Sequence, residues 1–318
     1  MVAELVEQFI PAADEVSRLQ RGEDAEAVFF QSFCEDGHYK GRTTPSRTRQ
    51  GIYAIAPSGA LLGACNTRDP RVMERMIRGA LEAWRELPPA QRKLEPPRRE
   101  ALAAVTRWRD KFPVDGLVLE VTTRDLKRDG PIERAHRHDW NRDFAWFRAD
   151  EARAFVPAAP RVGDRHQVPR PLIERLVRYH LVDNVRGQTS AHREKSVERA
   201  ELVATVRAVD GDVISLALTG ATRASNRGRW SVRGFDDQND PSQQQLGFET
   251  ELLGDATFDL AAGRFTAFEV VATGTRWGGT KFNARGDDLS ASPIGVVLRL
   301  AAEDAPRVAP AHIWRYGW

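Results

Sequence analysis

The chain has 318 residues, which is long enough for two domains because a single hydrophobic core rarely grows beyond about 250–300 residues. Its 41% hydrophobic and 29% charged residues are typical of a globular protein and exclude general disorder. The 47 basic and 45 acidic residues are interspersed and leave a net charge of +2. The sequence therefore lacks the clustered basic face that binding to nucleic acid or to an anionic membrane requires, and we expect neither partner.

Cysteine content and hydropathy suggest a location. Two cysteines, Cys34 and Cys65, are too few for a disulfide framework and favour a reducing compartment. No stretch approaches the roughly 18 apolar residues of a membrane-spanning helix. Residues 1–7 include acidic side chains and lack the apolar core of a signal peptide. We therefore expect a cytoplasmic protein with no membrane partner.

The first 90 residues alternate helices with short strands. Asp69-Pro70 is typical of a helix start, with aspartate as the N-cap and proline at the first helical position. Apolar residues then recur at helical spacing up to Trp84, before Pro88-Pro89 ends the helix. The predicted elements before it are a helix at 2–8, a strand at 9–13, a helix at 14–33 interrupted at Gly22, a loop at 35–44, and strands at 50–56 and 60–65.

Proline, hairpin and final helix follow one another in a familiar order. Thr43-Thr44-Pro45 precedes the predicted hairpin, and the helix from Asp69 follows it. This order resembles the closing half of a thioredoxin-like domain. The resemblance covers residues 1–90 and implies an incomplete α/β scaffold, without the family's first strand and without the helix turn that bears its Cys-x-x-Cys pair. A generic α/β arrangement with a coincidental hairpin is the alternative.

Residues 91–197 read as a mixed α/β connector. A helix is predicted around 100–111, and the β-branched segment 117–123 predicts a strand. An aromatic-rich polar segment occupies 124–150, and a second helix is predicted at 171–182.

From residue 198 the pattern changes to strands separated by tight turns. Asp210-Gly211 and Ala262-Gly263 are typical hairpin turns. The predicted strands are 201–209, 213–218, 248–260, 264–274 and 293–300. The spacing favours an antiparallel barrel or sandwich over 198–318. The predicted fold class is therefore α+β, an incomplete thioredoxin-like α/β domain followed by a β-rich domain.

Cys34 and His38 form the first candidate site, and we assign them as catalytic candidates. They lie four residues apart on a glycine-containing segment, where an imidazole favours the thiolate. The alternative is that Cys34 is a small buried hydrophobe behind the nearby phenylalanines. The roles of the family's thiols do not transfer to Cys34, because those thiols precede the second helix.

His136 and His138 form the second candidate site, with His180 as a third metal ligand. Histidines two apart on a strand point to one face and can share a copper, zinc or iron ion. Two ligands are too few, so other histidines would have to converge with them. Solvent exposure in an arginine-rich loop is the alternative.

Two further segments are candidates for ligand binding. The first follows a helix end and contains Asp183 and Asn184, for which helix capping is the structural alternative. The second combines glycines with an aromatic ring, which is typical of a loop that contacts a ligand. Its candidate residues are Arg276, Trp277, Asn283 and Arg285. A structural loop is the alternative here too.

Two functions are compatible with these candidates. The first is a metal- or thiol-dependent oxidoreductase whose site lies between the domains. The second is a non-catalytic binding module with a degenerate thioredoxin-like scaffold. A small-molecule ligand or a thiol partner, and self-association, are the expected partners. The aromatic terminus 314–318 is expected to pack against the β-rich domain or a second subunit, because undocked termini fray.

Overall fold

The computed structural model describes most of the chain. The described residues are 2–12, 14, 16–37, 48–67, 69–106, 111–126, 139–228, 232, 244–280, 282–305 and 308–318. The chain divides into unit 1, residues 1–107, and unit 2, residues 108–318. No helix among these described segments is long and apolar enough to cross a membrane.

Unit 1 contains five α-helices, a short 3-10 helix (Pro89–Arg92) and one β-hairpin among its described residues. The α-helices are α1 (Val2–Val6), α2 (Val16–Leu19), α3 (Ala25–Gly37), α4 (Pro70–Glu86) and α5 (Pro96–Ala103). Strands β1 (Ile52–Ile55) and β2 (Leu61–Cys65) pair antiparallel. Helices α3 and α4 both contact β2. The predicted hairpin and the helix after it are therefore confirmed.

Capping explains where the helices of unit 1 begin. Asp69 accepts a hydrogen bond from the backbone N–H of Arg71 at 2.8 Å, as expected for the N-cap of α4. Asp24 accepts one from Ala27 at 2.9 Å and starts α3, so the predicted helix 14–33 is two helices. The predicted strand at 9–13 is wrong over residues 9–12, which form no strand. The helix predicted at 100–111 begins and ends earlier, as α5.

Unit 2 is built on one large antiparallel sheet. Its strands are β3 (Leu117–Asp125), β4 (Trp140–Phe147), β5 (Arg165–Gln167), β6 (Val197–Asp210), β7 (Val213–Gly228), β8 (Gln244–Asp259), β9 (Arg264–Trp277) and β10 (Ser292–Leu300). The order across the sheet is β4-β3-β10-β9-β8-β7-β6-β5. Helices α6 (Ala149–Arg153) and α7 (Arg170–Tyr179) precede the longest strands. The α+β class and the β-rich C-terminal region are confirmed.

The range predicted as a connector contributes to this sheet. Strands β3 and β4 come from that range, and β10 joins β3 to β9. Sequence reading missed β4, because its eight residues lie within a segment that looked polar overall. Strand β3, near the start of unit 2, and strand β10, near its end, are therefore neighbours in one sheet.

Alternation along the strands creates two cores. On β3, Leu117, Leu119 and Val121 belong to the main core, which also contains the buried face of α7 and residues of β6 to β10. Val118, on the opposite face of β3, packs in a second core. The other buried members of the second core are Phe144, Trp146, Tyr179, Ala301 and Tyr316. Side chains alternate across a strand, so a single strand serves both cores.

Candidate functional site

Six charged residues meet where β3 and β9 end. β10 pairs with both strands, Ile294 with Asp125 of β3 and Ser292 with Arg276 of β9. The loop after α7 and the loop from β9 to β10 cover this end of the sheet. We name the group the arginine–aspartate cluster: Asp125, Asp183, Arg186, Arg276, Arg285 and Asp288.

Arg285 is the centre of the cluster. Its side chain is fully buried. Nε donates to Asp183 at 2.9 Å, Nη1 donates to Asp125 at 2.9 Å and to Asp288 at 3.1 Å, and Nη2 donates to Asp125 and Asp183 at 2.7 Å each. A guanidinium has five N–H donors in a planar fork, and here three carboxylates accept from them.

Arg276 and Arg186 complete the charge balance. Arg276 Nη2 lies against Asp288, and Arg276 Nε is 3.9 Å from Asp183. Arg186 pairs with Asp125 at 2.9 Å and with Asp288 at 3.0 Å. Three guanidinium groups therefore face three carboxylates, and the cluster has no surplus charge to offer an ionic ligand.

Burial and neighbouring charge shift the pKa values in the cluster. Burial alone would raise the pKa of Asp125, but hydrogen bonds and charge from Arg285, with a contribution from Arg186, hold it below its ordinary value. Burial and the like charge of Arg285 lower the pKa of Arg276. Burial also opposes the charge on Arg285, but Asp125 and Asp183 raise its pKa.

The loop from β9 to β10 is shaped to deliver Arg285. Ala284 has a φ of 53°, in the left-handed region that non-glycine residues seldom adopt. Its neighbour Asn283 is buried, accepts from the backbone N–H of Thr280 at 2.8 Å and donates to the carbonyl of Asp183 at 3.3 Å. A side chain at Gly187 would collide with the carbonyl oxygen of Phe282, 2.2 Å from an added Cβ. The close approach of the two loops requires that glycine.

The structure thus brings four predicted ligand-binding residues together, but their side chains contact one another and leave no space for a ligand between them. Asp183, Arg276, Asn283 and Arg285 are all buried. Trp277 lies elsewhere, on β9 opposite Gly247, with Arg223 at 5.4 Å from its ring centroid. Asn184 follows Asp183 and is partly buried. None of the four buried side chains can meet a ligand without opening the loops.

His180 has a different environment from the one a metal ligand needs. Its Nδ1 donates to Asp143 at 2.9 Å, and its Nε2 is hydrogen-bonded to the hydroxyl of Tyr316. Asp143 also accepts from the backbone N–H of Ala311 at 3.0 Å. A carboxylate can only accept, so the proton of the bond to Asp143 is on Nδ1. Both ring nitrogens are therefore engaged.

The Asp143–His180–Tyr316 chain has the connectivity of a nucleophilic triad, with a phenol in place of the nucleophile. Burial and the charge of Asp143 raise the pKa of Tyr316 well above its ordinary value. A reactive tyrosine would need the opposite shift. Burial would raise the pKa of Asp143, but His180 holds it below its ordinary value. The hydrogen bonds of the Asp143–His180–Tyr316 chain join β4, the end of α7 and the C-terminal segment.

Tyr316 belongs to a docked C-terminal segment. Its ring stacks on Tyr179 with centroids 5.6 Å apart, and Trp318 stacks on Trp146 at 6.4 Å. Arg175 lies over the Tyr316 and Trp318 rings at 4.9 and 5.3 Å. The terminus is docked, as expected, but on β4 and α7, which lie in the range predicted as the connector.

The same segment covers part of an edge strand. β4 is at one end of the sheet, so its outer backbone groups have no strand partner among the described residues. The hydroxyl oxygen of Tyr316 accepts from the backbone N–H of Trp146, and Arg175 donates to the Trp146 carbonyl at 3.1 Å. Satisfying these groups protects the edge from pairing with another chain.

His192 is buried beside this region and is held neutral. Asn226 donates to its Nδ1 at 3.1 Å, and its backbone N–H donates to Arg178 at 2.9 Å. Burial lowers the pKa of His192 to about 4, partly opposed by the Leu181 backbone. No carboxylate contacts the ring among the described residues.

We expect His192 to make unit 2 sensitive to mild acid. Its pKa is lower in the folded chain than in the unfolded chain, so the unfolded state binds a proton more readily between pH 6.5 and about 4. Stability therefore falls as the pH drops through this window, by about 2–3 kcal/mol between pH 7.5 and 4.5. Urea unfolding at both pH values should show that His192→Gln reduces the loss by that amount. An equal loss in both proteins would contradict this.

Cys34 lies in α3 of unit 1 and is fully buried. Its sulfur donates to the carbonyl of Gln31 at 3.7 Å. Burial raises the pKa of the thiol to about 11, with Arg49 opposing the shift and Glu35 adding to it. A thiolate is the reactive form, so this environment suppresses the reactivity of Cys34.

The remaining candidates lie outside the described residues. These are His38, His136 and His138. Pro45, on which the thioredoxin-like resemblance partly depends, also lies outside the described residues. Their predicted roles stay predictions. Within the described ranges, no three histidine, cysteine, aspartate or glutamate side chains come close enough to hold a metal ion.

A groove of about 890 Å³ lies at the opposite end of the sheet from the arginine–aspartate cluster. It is lined by the end of β8, the start of β9 and the end of β10, and by residues 112–116 and 301–303. Small residues, among them Ala267 and Ala302, keep the groove open, and Phe112 and Pro113 supply apolar surface. The groove could not be predicted from the sequence, because its walls come from three separate parts of the chain.

Sequence reading also missed the partners of its candidates. Asp125, Arg186 and Asp288 complete the cluster, and Asp143 and Tyr316 complete the environment of His180. The position of Asp125 just after the apolar segment 117–123 was the one available signal. Comparison with known proteins finds no family model, no curated protein and no solved structure that matches this chain.

Proposed function

We propose that this chain is a non-catalytic binding protein and that the groove of unit 2 holds its ligand. One observation carries the proposal. The side chains that could bind or react, Arg285, His180 and Cys34, are already occupied by partners within the fold or are buried. Arg285 uses its guanidinium on three carboxylates, His180 uses both ring nitrogens, and Cys34 is buried with a raised pKa. These groups build the fold, and the groove remains accessible.

The geometry of the groove supports a binding role. Its side chains include ion pairs that are exposed, such as Arg299 with Glu269 at 2.6 Å and Arg264 with Glu303 at 3.5 Å. Exposed ion pairs contribute little to the free energy of folding. Their charged groups can therefore exchange partners when a ligand binds. Ligand sites combine concave apolar surface with a few polar groups, and the groove has both.

Unit 1 is, in this proposal, a degenerate thioredoxin-like scaffold. The succession of α3, the β1–β2 hairpin and α4 supports it. A cytoplasmic location, self-association and a thiol partner stay predictions from the sequence. The oxidoreductase hypothesis also stays a prediction, since it depends on His136 and His138.

Metal analysis and thiol titration of untagged protein test the proposal against that hypothesis. We expect no stoichiometric copper, zinc or iron, and in a Cys65→Ser background we expect Cys34 to react with a thiol reagent only after unfolding. Stoichiometric metal that is lost in the His136→Ala/His138→Ala variant would overturn the proposal. Rapid reaction of Cys34 in the folded protein would also overturn it.

A further inference from the structure

We propose, resting on the proposed function, that the groove binds a peptide segment carrying arginine or lysine side chains. Three features of the groove support this proposal: the charge of its walls, the apolar surface between them and the exposed residues in its lining. Each is visible in the described residues of unit 2.

The groove has more carboxylates than cations. Four acidic residues, Asp115, Asp255, Glu269 and Glu303, line it together with two basic residues, Arg264 and Arg299. Both arginines are already paired with acidic residues of the wall. Asp115 is exposed and has no ion-pair partner among the described residues.

Asp255 has a partner that it can exchange. It pairs with Arg207 at 2.9 Å, but the side chains are 61% and 71% exposed for Arg207 and Asp255. Such an exposed pair is weak in water, so an arginine of a ligand can replace Arg207 at little cost. The two carboxylates therefore favour a ligand with more than one positive charge.

The surface between these charges suits the stems of basic side chains. Val114 is 86% exposed at the rim, and Phe112 and Pro113 lie beside it. Arginine and lysine bury their methylene stems on apolar surface while the charged end stays in water. Val114, Asp115 and Glu303 of its lining are exposed, so an extended segment can lie against them with its charged ends in water.

Binding of defined peptides tests the inference. We would measure the anisotropy of short fluorescein-labelled peptides that alternate leucine with arginine, glutamate or serine. The arginine peptide is expected to bind most tightly, and to weaken as salt is raised because salt screens exposed charges. Asp115→Asn and Asp255→Asn should each weaken binding about two- to fivefold.

Two variants locate the site. Glu251→Gln removes the same charge from the same strand as Asp255, but Glu251 is outside the groove and its side chain is 77% exposed. It should leave affinity unchanged. Ala267→Trp places a ring on the floor of the groove, where Ala267 is exposed, and should abolish binding. Equal weakening by Glu251→Gln would show a non-specific effect of charge and overturn the inference.

The outcomes separate this inference from the proposed function. One outcome is that the serine or glutamate peptide binds as tightly as the arginine peptide and that Ala267→Trp abolishes that binding. This result would contradict the preference for a basic ligand but would support the groove as the binding site. If spermine binds with the same affinity as the arginine peptide, the groove recognises positive charge alone, which contradicts a peptide ligand. If no peptide binds and fluorine NMR detects no neutral fragment that Ala267→Trp displaces, both proposals fail.

Discussion

Replacing Arg285 with methionine is expected to lower the free energy of unfolding of unit 2 by about 3–5 kcal/mol, because it strands buried carboxylates. Asp125, Asp183 and Asp288 would then share two guanidinium groups instead of three. For a unit of this size the loss corresponds to a fall in Tm of roughly 10 °C. Thermal and urea unfolding followed by circular dichroism measure it.

The matched control is Arg199→Met. Arg199 pairs with Glu201 at 3.0 Å on the sheet surface, with both side chains about half exposed. It should change stability by less than about 1 kcal/mol. Arg285→Lys should recover little, since an ammonium has three donors and lacks the planar fork. A loss below about 1 kcal/mol for Arg285→Met would contradict the structural role of the cluster.

The loss of stability in Arg285→Met is expected to depend on pH. The pKa of Asp125 is lowered in the folded chain, so its contribution to stability is present above the pKa of an unfolded aspartate, about 4. It is lost as the pH falls through the lower folded pKa. The difference in stability between the natural protein and Arg285→Met should therefore be largest near neutral pH and should narrow in acid. A constant difference would contradict the assignment.

Removing residues 312–318 is expected to destabilise unit 2 by about 4 kcal/mol, the cost typical of deleting a buried aromatic ring. The truncation removes Tyr316 from the second core and exposes Trp146. It also leaves His180 and the backbone of Trp146 without their hydroxyl partner. Urea unfolding measures the loss, and dye binding to the exposed apolar surface reports the open core.

Two point variants keep this prediction testable if the truncated chain does not fold. Tyr316→Phe retains the ring and removes the hydroxyl, so we expect a loss of about 1–3 kcal/mol from the unsatisfied groups. Trp314→Ala lies in the same segment but is 52% exposed and should have an effect below about 1 kcal/mol. Equal effects of the two variants would show that the Asp143–His180–Tyr316 chain does not hold the terminus.

The strands of unit 2 could be predicted because their signal is local. Alternating apolar residues and glycine turns give β6 to β9, and the predicted strands 201–209 and 264–274 fall within β6 and β9. Strand β4 was missed for a local reason too. In β4, Trp140 is followed by three polar residues and then by four apolar ones, so the sequence shows no alternation.

The arginine–aspartate cluster could be predicted only in part. Asp183 and Arg285 were candidates because polar residues gathered near a helix end and in a glycine loop. Their partnership was not predictable, because 102 positions separate them and 160 separate Arg285 from Asp125. Charge balance depends on all six residues together, so a sequence pattern that suggests a ligand site cannot distinguish it from a set of internal ion pairs.

Hydrogen–deuterium exchange with and without the leucine–arginine peptide tests the central claim most directly, because it locates binding on the whole chain. Slowed exchange confined to residues 112–118, 255–269 and 299–303 is the predicted result, with residues 278–290 unchanged. Slowed exchange in residues 278–290 and around Asp183, with the groove unaffected, would contradict it and return the ligand to the arginine–aspartate cluster.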